Sequence, residues 1–287
     1  MKKIKRGWAL TKKSWGLLNG HRELLRFPLY GAFATIPLAF VFLGPGLYFL
    51  DKNVLGGAIP LLVIGIYVLS VVGFYFSVGL AAAADMIFRG EEATVGDGLA
   101  VARSRFSQIC GWAAVSTAIS VLMGALENQA GIAGTIAARV VGMAWSLVTF
   151  LAVPVIAIEG AGPFETLKRS SHLFKSRWGA QITGNIAIGG AVFFLGVLPS
   201  AIVIAAGVLL WASAGFFGAL LVVIGAIGLA IALLINKALS GIFGVALYRY
   251  TLDGQAVGGF TVEELESAVK AKKGGRNAPP TATPGTV

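Results

Sequence analysis

Six apolar stretches, each long enough to cross a bilayer, constrain this chain more than any other feature. A hydrocarbon core of about 30 Å takes about 20 predominantly apolar residues in a helix. Stretches of that kind run over residues 27–50, 57–84, 109–126, 136–158, 182–210 and 216–248. Polar stops close the first four: Asp51-Lys52-Asn53, Asp85, Glu127-Asn128 and Glu159. Backbone N–H and C=O groups in lipid must be satisfied within the segment, so stretches this continuous read as helices. The expected fold is all-α, an integral membrane bundle of six helices. Only 13% of the 287 residues are charged, against about 25% in soluble domains. The 39 glycines fit helices whose backbones approach closely.

The basic residues then set an orientation. Lys2, Lys3, Lys5, Arg6, Lys12, Lys13, Arg22 and Arg26 precede the first stretch. Arg89, Arg103 and Arg105 lie between the second and third, and Lys168, Arg169, Lys175 and Arg177 between the fourth and fifth. Arg249, Lys270, Lys272, Lys273 and Arg276 follow the sixth. Twenty of the 23 lysines and arginines thus fall on one side, which is expected to be cytoplasmic and to hold both termini. The basic start is too long for a secretory signal and has no small-residue cleavage site after the first stretch, so that helix is expected to remain. A net charge of +10 placed this way points to anionic lipid headgroups and the bilayer surface as partners, not to nucleic acid.

The basic segments resemble one another. Ile4, Trp8, Thr11, Trp15 and Leu18 recur at helical spacing, with Lys5, Arg6, Lys12 and Lys13 off that face. Thr94 with Asp97 has the spacing of a helix start, after which Val95, Leu99, Phe106 and Cys110 share a face. Pro163 suits a first helical position, with Leu167, Phe174 and Trp178 in register behind it. The layout predicted is three helical hairpins, each preceded by a basic amphipathic helix in the interface. Residues 1–260 make the membrane domain, 261–273 a short cytoplasmic helix, and the Gly-, Pro- and Thr-rich residues 274–287 a disordered tail.

Three segments carry a resemblance: RGWALTKKSWGLLNGHRELLRFPL (residues 6–29), GPFETLKRSSHLFKSRWG (162–179) and ALYRYTLDG (246–254). Together they resemble an uncharacterised family of prokaryotic six-span membrane proteins. More loosely, the hairpin layout looks like the membrane domains attached to some glycerophosphodiester phosphodiesterases. The resemblance implies a prokaryotic plasma membrane and six helices, and carries no activity or functional residues with it.

Catalytic patterns are missing from the sequence. It has no phosphate-binding loop, no H-E-x-x-H and no nucleophile elbow. With one cysteine, Cys110, and two distant histidines, His21 and His172, neither metal nor cofactor is expected. Charged and amide groups within or next to the apolar stretches are the remaining candidates, because such groups are costly in lipid and tend to be functional. They are Asp85, Glu159, Asn185, Asn236 and Lys237. Asp85 and Glu159 read first as helix-end residues paired with loop arginines, and otherwise as proton-relay groups. Lys237 reads either as a residue snorkelling to the interface or as a buried cation seeking a carboxylate. Two small-residue ladders, Gly73-Ser77-Ala81 and Ser116-Ser120-Gly124, read as close helix seams. Lys12, Lys13, Lys168, Arg169 and Lys175 are the expected contacts to anionic lipid. The leading expectation is a non-enzymatic scaffold, accessory or lipid-organising protein, with another membrane protein or a cytosolic protein as a further candidate partner. The alternatives are a transporter or channel component using Asn236 and Lys237, and an interfacial lipid-modifying enzyme using Asp85, Glu159 and His172.

Overall fold

The computed structural model describes residues 2–129, 141–142, 145–146, 149–178, 189–211, 215–254, 256–262 and 265. Residues 136–140, 143–144 and 147–148 of the expected fourth stretch (136–158), residues 182–188 with Asn185, nearly all of the helix expected at 261–273, and the tail at 274–287 lie outside the described residues. All regular structure among the described residues is helical: α1 (Lys2–Gly20), α2 (Arg26–Asp51), α3 (Leu55–Phe88), α4 (Val95–Ser104), α5 (Phe106–Gln129), α6 (Ala152–Glu159), α7 (Pro163–Trp178), α8 (Leu198–Trp211) and α9 (Gly215–Asp253), with a 3₁₀ turn at Arg22–Leu25 and a π turn at Phe193–Val197. Among the described residues, five segments are long and apolar enough to cross a membrane: Arg22–Asp51, Leu55–Phe88, Phe106–Ala125, Gly189–Trp211 and Gly215–Leu252.

Two of these helices are longer than a bilayer needs. At 1.5 Å per residue, α3 runs roughly 51 Å and α9 roughly 58 Å, nearly twice the hydrocarbon thickness. The excess has a definite place. Residues 78–85 of α3 are buried, as are most positions of α9 from Ala238 to Thr251. The same core takes in Leu18, Leu24, Phe27, Ala102, Ile109, Trp112, Leu151 and Val155. The opposite end of the molecule is apolar on its outside instead, with Phe33, Phe40, Tyr48, Leu209 and Phe216 all strongly exposed. Soluble proteins rarely expose contiguous apolar surface on that scale. The molecule therefore has a packed, charged end and an end whose apolar side chains point outward.

The helices pair as neighbours in sequence: α2 lies along α3, and α8 along α9. The α8–α9 seam is built on glycines. A methyl group on Gly218 would come within 2.7 Å of the Trp211 nitrogen, and one on Gly225 within 2.9 Å of the Ser200 oxygen. Gly218, Gly225 and Ala232 recur every seven residues, and Ala232 meets Gly196 across the seam. The ladders expected on α3 and α5 behave differently. The hydroxyls of Ser77 and Ser120 donate to carbonyls four residues back, at 2.6 and 2.9 Å. No described neighbour lies within 4 Å of a methyl group placed on Gly73 or Gly124. Ala81 and Ser116, the other rungs of these ladders, are buried, so each ladder is covered along only part of its length.

Around the packed end, α1 leans on α9, α4 on α3, and α7 on α5 and α6. Among the described side chains, Thr11, Ser14 and Leu18 are buried on α1, Gly98 and Ala102 on α4, and Thr166, Ser170 and Leu173 on α7. Trp15 and Phe106, on faces expected to meet the acyl boundary, are exposed. The α3–α4 fit is close: a methyl on Gly98 would meet the Gly79 oxygen at 2.5 Å. The helix starts follow the sequence signals. Thr94 caps α4 in a reciprocal capping box with Asp97, and the donated bonds hold the exposed Asp97 carboxyl below its ordinary pKa. Pro163 opens α7.

Candidate functional site: an ion-pair junction at the charged end

Three helices end on glycines in the left-handed region, where a side chain is strained. Gly90 follows α3 with φ +80°, Gly160 follows α6 with φ +68°, and Gly254 follows α9 with φ +69°. These stops set the height at which each chain emerges, and the charged groups of the core sit just before them. Asp85 lies five residues before Gly90, Arg249 five before Gly254, and Glu159 directly before Gly160.

Asp85 and Arg249 meet in a bidentate pair. Arg249 Nε donates to Asp85 Oδ1 at 2.6 Å and Nη2 to Oδ2 at 2.8 Å. The Asp85 side chain is only 8% exposed and that of Arg249 22%, so this charge-assisted fork is partly shielded from water. Arg89, one turn further along α3, adds a contact to Asp85 at 3.4 Å and pairs with Glu91 at 2.9 Å. On the neighbouring position of α9, the Tyr248 hydroxyl donates to Glu159 Oε1. The same oxygen accepts from Arg169 Nε on α7 at 3.1 Å. Two consecutive residues of α9 thus hold the ends of both α3 and α6, and Glu159 brings in α7. Arg105, between α4 and α5, lies against Gly160, where a methyl would come within 2.4 Å of its guanidinium carbon.

The residues expected to form a polar site inside the bundle do not converge. Asp85 and Glu159 belong to this junction. Lys237 is exposed, and Gly241 one turn below it faces Leu80. That contact sets Lys237 roughly 14 Å above Asp85 along the axis at 1.5 Å per residue. The Asn236 Oδ1 is buried with no hydrogen-bond partner among the described residues. Asn185 lies outside the described residues, and so does the side chain of Lys175. Of the other basic candidates, Lys12 and Lys168 are exposed, Lys13 is half-buried, and Arg169 is engaged with Glu159. His21 and His172 are exposed. Among the described residues no group of three or more His, Cys, Asp or Glu is placed to hold a metal.

Chemically, the junction is closed. Each carboxylate already accepts from a cation, and the Glu159 oxygen also accepts from a phenol, so neither is free to act as a base. Neither Tyr248 as a partner of Glu159 nor Arg249 as the partner of Asp85 was evident in the sequence reading. The signal for the second was present in the equal five-residue offsets from Gly90 and Gly254.

No curated protein matches the chain. A family model matches residues 57–259 and so takes in every member of the junction. The chain belongs to DUF6159, a family of unknown function.

Proposed function

We propose that this protein is a non-enzymatic, multi-pass component of a prokaryotic plasma membrane that scaffolds or organises its surroundings at the cytoplasmic surface. Six spans in three hairpins, with both termini cytoplasmic, fit the distribution of basic residues. The charged end of the bundle is then the cytoplasmic end. The observation that carries the reading is a division of labour among the charges. The core carboxylates Asp85 and Glu159 are consumed in joining helices. Lys12 and Lys168, on the outward faces of α1 and α7, are exposed. Trp15 and Phe164, also exposed, lie on those same faces and suit the headgroup boundary. The looser likeness to membrane domains of glycerophosphodiester phosphodiesterases agrees with a lipid-facing role.

Neutralising Lys12 and Lys168 together to glutamine tests this. Each cation near an anionic surface is worth about fivefold in local lipid preference. The enrichment of anionic over zwitterionic phospholipid around the protein in nanodiscs is expected to fall several-fold, with the fold unchanged by circular dichroism. An unchanged enrichment would remove the surface part of the proposal.

A transporter component is the second reading, and Asn236 is what favours it, as an amide oxygen buried without a described partner beside Lys237. Access to Lys237 from the two sides of the membrane discriminates between the two. An interfacial lipid-modifying enzyme has less support, since its carboxylates are ion-paired and His172 is exposed on α7.

A further inference from the structure

Between the α2–α3 hairpin and the elbow joining α4 to α5 lies an open groove of about 540 Å³, within the size range of small-molecule sites. Ala34 lines it from α2, Val71, Val72 and Phe76 from α3, and Phe106 from α5, with Arg103 at its edge on the last turn of α4. The walls are fixed in place. The Tyr75 hydroxyl, whose ring also faces the groove, donates to the Leu99 carbonyl at 3.4 Å, and Tyr67 donates to the Cys110 carbonyl at 3.5 Å. Tyr75 and Phe106 meet edge to face at 6.3 Å, which leaves Phe106 51% exposed.

The chemistry of the lining is one-sided. Every contributor except Arg103 and the Tyr75 hydroxyl is apolar, and no carboxylate is present. Arg103 itself is exposed and makes no ion pair among the described residues. An arginine fork suits a phosphate by geometry as well as charge. The height is also right. On α3 the groove stops at Phe76, two residues before the buried stretch that begins at Val78, where the apolar exterior gives way to the charged end. From these observations we infer that the groove is a binding site for an anionic glycerophospholipid of the surrounding bilayer, one acyl chain lying on Val71, Val72 and Phe106 and the phosphate engaging Arg103.

This inference rests on the reading of the chain as a lipid-organising membrane protein, and names one lipid class and one place for it. The full-length protein in nanodiscs is photolabelled with phosphatidylglycerol or phosphatidylcholine carrying a diazirine in the acyl chain, and the labelled peptides are mapped by mass spectrometry. The phosphatidylglycerol probe is expected to label the peptides containing residues 71–76 and 106 about fivefold more than the phosphatidylcholine probe. Arg103→Gln is expected to bring that ratio near one while chain labelling persists. Val72→Trp, which fills the groove, is expected to lower labelling by both probes. A ratio near one in the unmodified protein, a ratio unchanged by Arg103→Gln, or labelling indifferent to Val72→Trp overturns the inference. Headgroup preference confined to peptides around Lys12 and Lys168 overturns the groove and leaves the proposed function standing. No preference anywhere overturns both, and a protein rather than a lipid cross-linked at Phe106 overturns the groove as a lipid site.

Discussion

Replacing Arg249 with leucine is expected to lower stability by about 3 kcal/mol, the low end of the range for a buried ion pair that loses one partner. The size of the loss follows from what is left behind. Among the described residues Asp85 keeps only Arg89, at 3.4 Å and on a side chain 46% exposed, in place of a fork at 2.6 and 2.8 Å. The charge remains 8% exposed in the core, and its desolvation is then poorly offset. Removing both charges is gentler. In Asp85→Asn with Arg249→Gln no unpaired carboxylate remains, so the double variant is expected to be more stable than Arg249→Leu. Equilibrium unfolding of the detergent-solubilised protein reads both. Additive losses in a double-mutant cycle built on Asp85→Asn and Arg249→Gln would show that the pair is not coupled, and the junction would lose its role as the clasp between α3 and α9.

Gly160→Ala is expected to cost about as much, for a different reason, with Gly90→Ala as the internal comparison. Both glycines have positive φ, 68° and 80°, and each substitution carries about 1–2 kcal/mol of left-handed strain. At Gly90 nothing lies within 4 Å of an added methyl among the described residues, so strain is the whole effect. At Gly160 the methyl meets the Arg105 guanidinium at 2.4 Å, and the Arg105 Nε is buried with no partner among the described residues. Displacing that group adds an overpacking cost of about 1–3 kcal/mol. Gly160→Ala should therefore unfold well before Gly90→Ala. Equal losses would mean that Arg105 moves aside freely.

The all-α membrane class was legible because it rests on long-range composition, which one stretch after another repeats. The starts of α4 and α7 were legible because a capping box and an N-terminal proline are local chemistry at Thr94, Asp97 and Pro163. Inner faces were harder to read. Periodicity grouped Trp15 with Leu18 on one apolar face expected at the acyl boundary, yet Leu18 is buried in the core while Trp15 is exposed. Apolar period alone does not say whether an aromatic faces protein or bilayer. The small-residue ladders were legible in part, since Ala81 and Ser116 are buried while Ser77 and Ser120 bond their own helices; the seven-residue spacing of Gly218, Gly225 and Ala232 lies on the α8–α9 seam. At the candidate site, Asp85 and Glu159 were visible as charges ending apolar runs. That arginines would pair with them was legible too, but not that Arg249 and Tyr248 would take part, because pairing 164 and 89 residues apart in sequence depends on how the hairpins are set against one another.

In the proposed orientation α9 has two parts, an upper part in the bilayer and a lower part in the cytoplasmic core, with Lys237 at the border. Twenty residues from Phe216, about 30 Å at helical rise, reach Asn236, and the buried stretch begins at Ala238. The most direct test replaces Cys110 with alanine and Lys237 with cysteine, then offers a membrane-impermeant maleimide from each side in turn. Ready labelling from the cytoplasmic side alone is the expected result. Labelling from the opposite side or from both would reveal a water-filled path through the bundle and favour the transporter reading. Protection from both sides would put Lys237 within the membrane interior, and would equally contradict a border at that residue.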